Sequence, residues 1–538
     1  MTDVVIIGSG FGGAVLAARL GQARPGASIV VLERGDDPTG LFDPRSLGGA
    51  LNADGNRFRN TLDPTYLAGL IDVYDDPDGA YRAGTPSMRV LAGKGLGGGS
   101  NVYDGVSLRA PTEAFAQARE GTRLWPSIYT RAALDPYYTK VEAALAVRAL
   151  RWTDGDVPRW ALATKRDLVF AEGCRRAGLG ALPLKVAVDG DVGDGWWNEG
   201  QRGRGRQGLT QNYLRFAQAA GVAFRTGCEV DGIAEGAGGY VVSGHDRRDG
   251  TDFELTAKLV VVAGGAVGST SLLLRSRGAL AGLDPGAQLG RRVSANGDYG
   301  VTGIVGDAYA DDVEGYKGKP MSSFSPSLFP AHQAILIPFY AQPLYLALGQ
   351  FTTLLRADDP AARGRGSAAP AAGERDWGLA YKQRLARFGR RMLTMGCLCF
   401  DDGEGEIRLG PGDRPVVRWA QTSASTEARW SAALDAMAAI YEALGGEMFL
   451  DGYRKDGTVH TSHPLGGCRM TERAAPERGV VDPFGEVLGR RNLFVVDGAI
   501  VPSALGVNPS LTIAAVAELI ADRLVRGDGT EALASRLS

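Results

Sequence analysis

The sequence predicts an α/β fold in two interleaved domains, and three observations predict it. Residues 3–7, "DVVII", run straight into "GSGFGG" and then "AVLAARLGQ", the order strand, glycine turn, helix. The same order returns at residues 258–276, "KLVVVAGGAVGSTSLLLRS". The chain is 538 residues long, too long for one ordinary core, so at least two domains are expected.

The first stretch is β-branched and apolar without alternation, as expected of a short strand buried on both faces of a parallel sheet. The turn after it reads Gly8-x-Gly10-x-x-Gly13. Gly8 permits the tight turn, Gly10 lets the main chain approach a pyrophosphate, and Gly13 lets the helix pack closely on the strands. "SIVVLER" reads as a second strand ending in Glu33, an acceptor for the hydroxyls of an adenosine ribose. A carboxylate there favours an unphosphorylated ribose, hence FAD or NAD over NADP. Strand, fingerprint, helix and acid in this order point to a Rossmann-like dinucleotide-binding domain.

A second glycine run, "VLAGKGLGGGSNVYDG", carries Gly93, Gly95, Gly97, Gly98 and Gly99 between apolar β-type flanks. A linker would be more polar and serine-rich, so close contact with a large planar ligand is the better account. Residues 258–276 form a buried strand, Gly264 and Gly265, and an apolar helix. Residues 509–525, "PSLTIAAVAELIADRLV", form a closing helix with proline in its first turn. The dinucleotide domain is therefore expected from residues 1–45, 85–112, 215–300 and 455–538. Residues 46–84, 113–214 and 301–454 are left for an α+β substrate-binding or cap domain.

Composition narrows the function. Apolar and charged fractions of 44% and 22% are ordinary for a soluble globular protein, while 77 glycines are about twice the usual share. A net charge of -2 gives no basic stripe for nucleic acid. "MTDVVIIGSG" shows no signal-peptide pattern, and a cytoplasmic location is expected. Five scattered cysteines argue against a disulfide framework. Cys397 and Cys399 share one face of an extended segment and read as buried packing rather than a metal site. Residues 334–355 are the most apolar long segment, but Pro338, Gln342, Pro343 and Gln350 interrupt it, so no transmembrane helix is expected. Residues 356–376, small, polar and proline-rich, read as a surface loop.

"VVIIGSGFGGAVLAARL", "GLGGGSNVYDG", "LVVVAGGAVGSTSLLL", "ANGD" at residues 295–298, "SHPLGGCRM" and "NLFVVDGAIVPSALGVNPSLTIAAVAELIADR" together resemble the glucose-methanol-choline (GMC) oxidoreductase family, most closely its cholesterol oxidase branch. The resemblance implies FAD and the oxidation of an alcohol to a carbonyl compound. It places the cofactor against Gly8, Gly10, Phe11, Gly12 and Gly13, then Glu33 and Arg34. The second run would add Gly93, Gly97, Gly98, Gly99, Ser100, Asn101, Asp104 and Gly105. Later segments would add Val230, Ala263, Gly264, Gly268, Asp497, Gly498, Asn508, Pro509 and Ser510. His463 falls on the family's histidine at the flavin's reactive edge, and Asn508 on its second active-site residue, often a histidine in other branches. A substrate-domain glutamate, used as a base in family cholesterol oxidases, has only Glu314 as a loose match.

These two residues suit the chemistry on their own terms. Removing a hydride from an alcohol carbon requires loss of the hydroxyl proton, and a histidine titrates in the working range. Asn508 offers a donor and an acceptor to hold the substrate oxygen. Flavin takes the hydride at N5, and the N–H groups of the closing helix would stabilise the negative charge left on it. The expected partners are a small, hydrophobic, secondary, sterol-like alcohol and O2 or another electron acceptor. Three other readings are weighed: a sugar or secondary-metabolite alcohol as substrate, a flavin redox-partner protein without alcohol chemistry, and a His463–Cys468 thiol hydrolase. The last has no nucleophile signature around Cys468 and leaves the fingerprint unexplained.

Overall fold

The computed structural model describes residues 1–37, 39, 42–43, 71–76, 87–151, 164–189, 205–280, 282–284, 286–310, 313, 321–339, 389–419, 421–448 and 458–538. Glu314, the 356–376 segment and the part of the apolar stretch beyond Phe339 lie outside these residues.

The organising element is a seven-stranded sheet. Its order is Ala223–Arg225, Ile29–Leu32, Thr2–Ile7, Asp252–Val262, Gly239–Asp246, Cys228–Gly236, and Leu493–Val495 pairs with Asp252–Val262 as well. The 11-residue strand Asp252–Val262 joins two kinds of pairing. Its first half runs antiparallel to Gly239–Asp246, and its second half is parallel to Thr2–Ile7 and Leu493–Val495. Its burial changes accordingly, from alternating to fully buried over Leu259–Val262, because a parallel strand is covered on both faces.

Helices Phe11–Ala23 and Ser510–Arg526 pack against each other, and Gly265–Ser276 follows the long strand. The expected helix at 509–525 is observed one residue later, with Pro509 at the N-cap and Gly527 (φ 73°) closing it in a left-handed turn. Among the described residues, no helix is long and apolar enough to cross a membrane.

A second, four-stranded sheet is antiparallel, in the order Ala334–Phe339, Met392–Cys399, Tyr299–Ile304, Glu447–Met448. Pro338 is tolerated because its strand is at the sheet's edge. Helix Ala424–Ala443 covers one face, where Leu336, Met395, Cys397 and Cys399 are buried in a common core. The two thiols direct Sγ to the Gly297 carbonyl oxygen at 3.7 Å each, the packing role expected of them. The other face turns Ile335, Ile337 and Leu398 toward the core of the first sheet.

Candidate active site

The two glycine runs face each other. A Cβ on Gly98 (φ 52°) would lie 2.9 Å from Gly10 Cα, and one on Gly93 would lie 2.7 Å from Gly99 Cα. Ser9 locks the runs together: its Oγ accepts from Gly97 N at 3.0 Å and donates to Glu33 Oε2 at 2.6 Å. Within the second run, Ser100 Oγ donates to Gly97 O, and Asn101 Nδ2 donates to the carbonyls of Lys94 and Leu96.

Glycine serves packing at some of these positions and open space at others. A Cβ at Gly12 would lie 1.7 Å from Val496 O, at Gly8 2.3 Å from Ala263 O, and at Gly13 2.1 Å from Gly8 O. At Gly10, Gly99 and Gly268, by contrast, a Cβ would meet no atom of the described residues within 4 Å. Main chain bared toward empty space at the start of a helix fits the pyrophosphate of a dinucleotide, so the residues present fit FAD.

Around this cleft, Glu33 is buried with Ser9 N and Oγ on one oxygen and Gly35 N on the other. Burial pushes its pKa up, against those hydrogen bonds. Oε2 is filled by its two bonds from Ser9, whereas Oε1 keeps a lone pair for a ribose hydroxyl. Cys228 N donates to Glu33 O at 2.9 Å, bringing Val230, two residues on, beside the end of the second strand. Arg34 is instead engaged by Asp72 and by Tyr74 Oη at 2.6 Å. Asp497 works as a brace: Gly265 N and Ser269 Oγ donate to Oδ2, and Ala499 N to Oδ1. Gly105 (φ 73°) and Gly498 lie in turns, their carbonyls taken by Ala187 N and Gly466 N. Ile513 N donates to Pro509 O, so the N–H groups of Ser510, Leu511 and Thr512 form the open first turn of the closing helix.

Three chain segments meet at His463. Leu465 exchanges both main-chain hydrogen bonds with Ser294, joining the histidine turn to the 294–298 turn. Asn296, in a left-handed conformation (φ 57°), donates from Nδ2 to Val507 O at 2.7 Å, and its Oδ1 accepts from Leu505 N and Gly506 N. Asn296 is thus the clip that fixes Asn508 relative to His463. Asp401 backs the turn from below, accepting from Ser294 Oγ and Gly297 N.

His463 Nδ1 lies 2.8 and 2.9 Å from the Asp298 carboxylate oxygens, and its Nε2 is 3.1 Å from Asn508 Nδ2. An ionised carboxylate only accepts, so Nδ1 carries the proton and Nε2 keeps its lone pair toward the Asn508 amide. Asp298 is itself held by Thr461 Oγ1 and Ser462 N. Burial works against charging the imidazole, but Asp298 beside it and Asp104 farther off outweigh that, and its pKa is raised. Asn508 Oδ1 and Asp104 Oδ1 are both buried without a hydrogen-bond partner among the described residues. Burial raises the Asp104 pKa to about 6, against the pull of Arg166, Arg206 and His463.

Cys468 does not join this group. It is fully buried, its Sγ is 3.5 Å from Thr270 Oγ1, and burial pushes its thiol well up, so it packs rather than reacts. Asp298 and Asn296 are the site residues to which sequence reasoning gave no role. Their one signal was "ANGD", with Asn-Gly marking a turn.

Asp298→Asn should lower the His463 pKa by removing its nearest negative charge. The unprotonated base then persists to lower pH, so the acid limb of kcat/KM moves down in pH. Reduction of bound flavin by an alcohol, followed across pH 5–9, reads this shift.

The GMC oxidoreductase family models match residues 3–293 and 402–517. A long-chain-alcohol oxidase of Arabidopsis thaliana is 24% identical, covering 97% of this chain and 67% of its own. A cholesterol oxidase of Mycobacterium tuberculosis is 27% identical, covering 96% and 90%. The fold is also that of a pyridoxine 4-oxidase crystal structure from Mesorbium loti, with TM-score 0.62 and 18% identity over 98% of this chain and 99% of that one. With two glycine runs framing an open cleft, a histidine set between Asp298 and Asn508, and family models spanning both ends of the sequence, this chain belongs to the GMC oxidoreductases, FAD-dependent enzymes acting on alcohols.

Proposed function

We propose that the protein oxidises a hydrophobic secondary alcohol, ring-bearing and sterol-like, to the carbonyl compound, with His463 as base. The observation that carries this reading is the double tether of His463. Asp298 on Nδ1 fixes the tautomer and ring plane, leaving Nε2 as the proton acceptor in the cleft. FAD, when bound, accepts the hydride from the carbinol carbon.

The remaining work falls to the chain. An incoming hydroxyl takes the place of the Asn508 amide at Nε2 and gives its proton to that nitrogen. Asn508 then holds the same oxygen through its N–H or its unpartnered Oδ1. Asp298 stabilises the imidazolium that results. The open first turn of Ser510–Arg526 supplies N–H groups and positive dipole at the cleft, suited to charge gained by the cofactor. We assign both the FAD ribose contact to Glu33 and the pyrophosphate approach to Gly10, Gly98 and Gly99. With FAD held there, its reoxidation would fall to O2 or another acceptor.

The test is a visible spectrum of the purified protein, repeated anaerobically with cholesterol, aryl alcohols, linear alcohols and sugars. Flavin absorbance bleached by a ring-bearing hydrophobic alcohol supports the proposal. Bleaching by sugars alone overturns the substrate class, and bound flavin that no alcohol reduces overturns the reaction.

A further inference from the structure

The second sheet approaches the site with the face that carries Asp298. Two residues on, about 7 Å along the chain, Gly300 lies on the same face, and Thr302 and Ile304 follow by alternation. On the neighbouring strands Leu398, Gly396 and Thr394 share that face with Ile335, Ile337 and Phe339. Among the described residues of this face, Asp298 lies at one end and Glu447, paired with Ile304, at the other, while the row between them, Gly300, Gly396 and Ile337, has no polar side chain; the hydroxyls of Thr302 and Thr394 lie 3.5 Å from each other.

Register puts two glycines side by side: Gly300 opposite Gly396, with Ile337 completing the row. Neither has a positive φ, so turn geometry does not require glycine at either position. Space does. The ring of Phe339, from the next row, folds back over both. A Cβ on Gly300 would lie 3.2 Å from Phe339 Cζ, and one on Gly396 would lie 2.8 Å from Phe339 Cε1. Phe339 is half-buried, whereas Leu398 and Ile335, level with Asp298, are buried.

We propose that Phe339, seated on Gly300 and Gly396, is the specificity-determining platform of the substrate cavity, on which the flat ring skeleton of the alcohol stacks while its hydroxyl reaches His463 and Asn508. This rests on the reading of His463 and Asn508 as the alcohol site. The two glycines let the ring lie close against the sheet. An aromatic face favours a flat ring system through offset stacking in addition to burial, an advantage that a linear alkyl chain lacks. The row that seats the ring, Gly300, Gly396 and Ile337, offers a sugar no polar side chain.

The experiment is anaerobic stopped-flow reduction of the flavin in the holoprotein. Cholesterol and 1-(2-naphthyl)ethanol serve as ring-bearing probes, 1-dodecanol as the linear one. In Phe339→Ala, the half-saturating concentration of the ring alcohols should rise about tenfold or more, with the limiting rate and flavin spectrum little changed. Dodecanol should shift far less, and Phe339→Tyr should restore ring-alcohol binding. Gly300→Ala, which pushes the ring toward the cavity, should also change half-saturation for ring alcohols selectively, and it gives the same reading if Phe339→Ala does not fold. An equal effect on ring and linear alcohols, or none on either, overturns the platform. A wild-type protein that only dodecanol reduces overturns the flat-ring class. Wild-type flavin that no alcohol reduces overturns the alcohol site itself, a failure seen before any variant is made.

Discussion

His463→Ala should bind FAD with the wild-type visible spectrum yet lose flavin reduction by alcohol about 10²–10⁴-fold, the range for removal of a positioned base. Retained binding is expected because His463 makes its side-chain contacts with Asp298 and Asn508 and takes no part in the glycine cleft. The loss should fall on the limiting rate, since the base acts on a proton that moves only as the reaction proceeds. His463→Gln, which keeps a side chain to meet Asn508, should remain as slow as the alanine variant if proton transfer is the role. Full turnover by His463→Ala would mean that the fold carries flavin for electron transfer without alcohol chemistry. The pH dependence follows from the same geometry. Because Asp298 raises the His463 pKa, the base form is lost at a higher pH than in an ordinary imidazole, and activity should fall as pH drops through that raised value.

A pair of glycine substitutions in one turn should separate folding from cofactor binding. Gly12→Ala would set a Cβ 1.7 Å from Val496 O, where only main chain could yield. Helix Phe11–Ala23 would have to leave the strand end at Val495, with a loss of about 3 kcal/mol or more and little folded protein recovered. Gly10→Ala is different. Its φ of -69° and ψ of -167° suit any residue, and among the described residues the new Cβ meets no atom within 4 Å. The apoprotein should melt as wild type does, while FAD affinity falls at least tenfold because the methyl occupies the pyrophosphate's approach. Thermal melts with and without FAD, together with flavin titration, read both variants. Unchanged FAD affinity in Gly10→Ala would place the cofactor elsewhere.

Local pattern made much of the dinucleotide cleft legible. Unalternating β-branched runs become buried parallel strands, glycines at fixed offsets become turns, and proline before an amphipathic run becomes a helix start, because each depends on neighbours within a few residues. His463 and Asn508 could be named because their flanks, "HPLGGC" and "GVNP", are distinctive over a short span. What these residues touch was decided only by tertiary structure. Asp298 is 165 positions from His463, and Asn296 is 211 positions from the Val507 carbonyl it holds. Nothing in local propensity couples such distant turns; it takes the Ser294–Leu465 bridge to align them. The same reasoning explains why Arg34 is drawn to Asp72, why Cys468 faces Thr270 rather than His463, and why two unstrained glycines meet under Phe339. Sheet register and long-range packing set those contacts, and a linear sequence carries the residues without their pairing. By itself the sequence determined the glycine turns of the cleft and singled out His463, whereas the folded chain determined that Asp298 holds that imidazole and that Phe339 lies over Gly300 and Gly396.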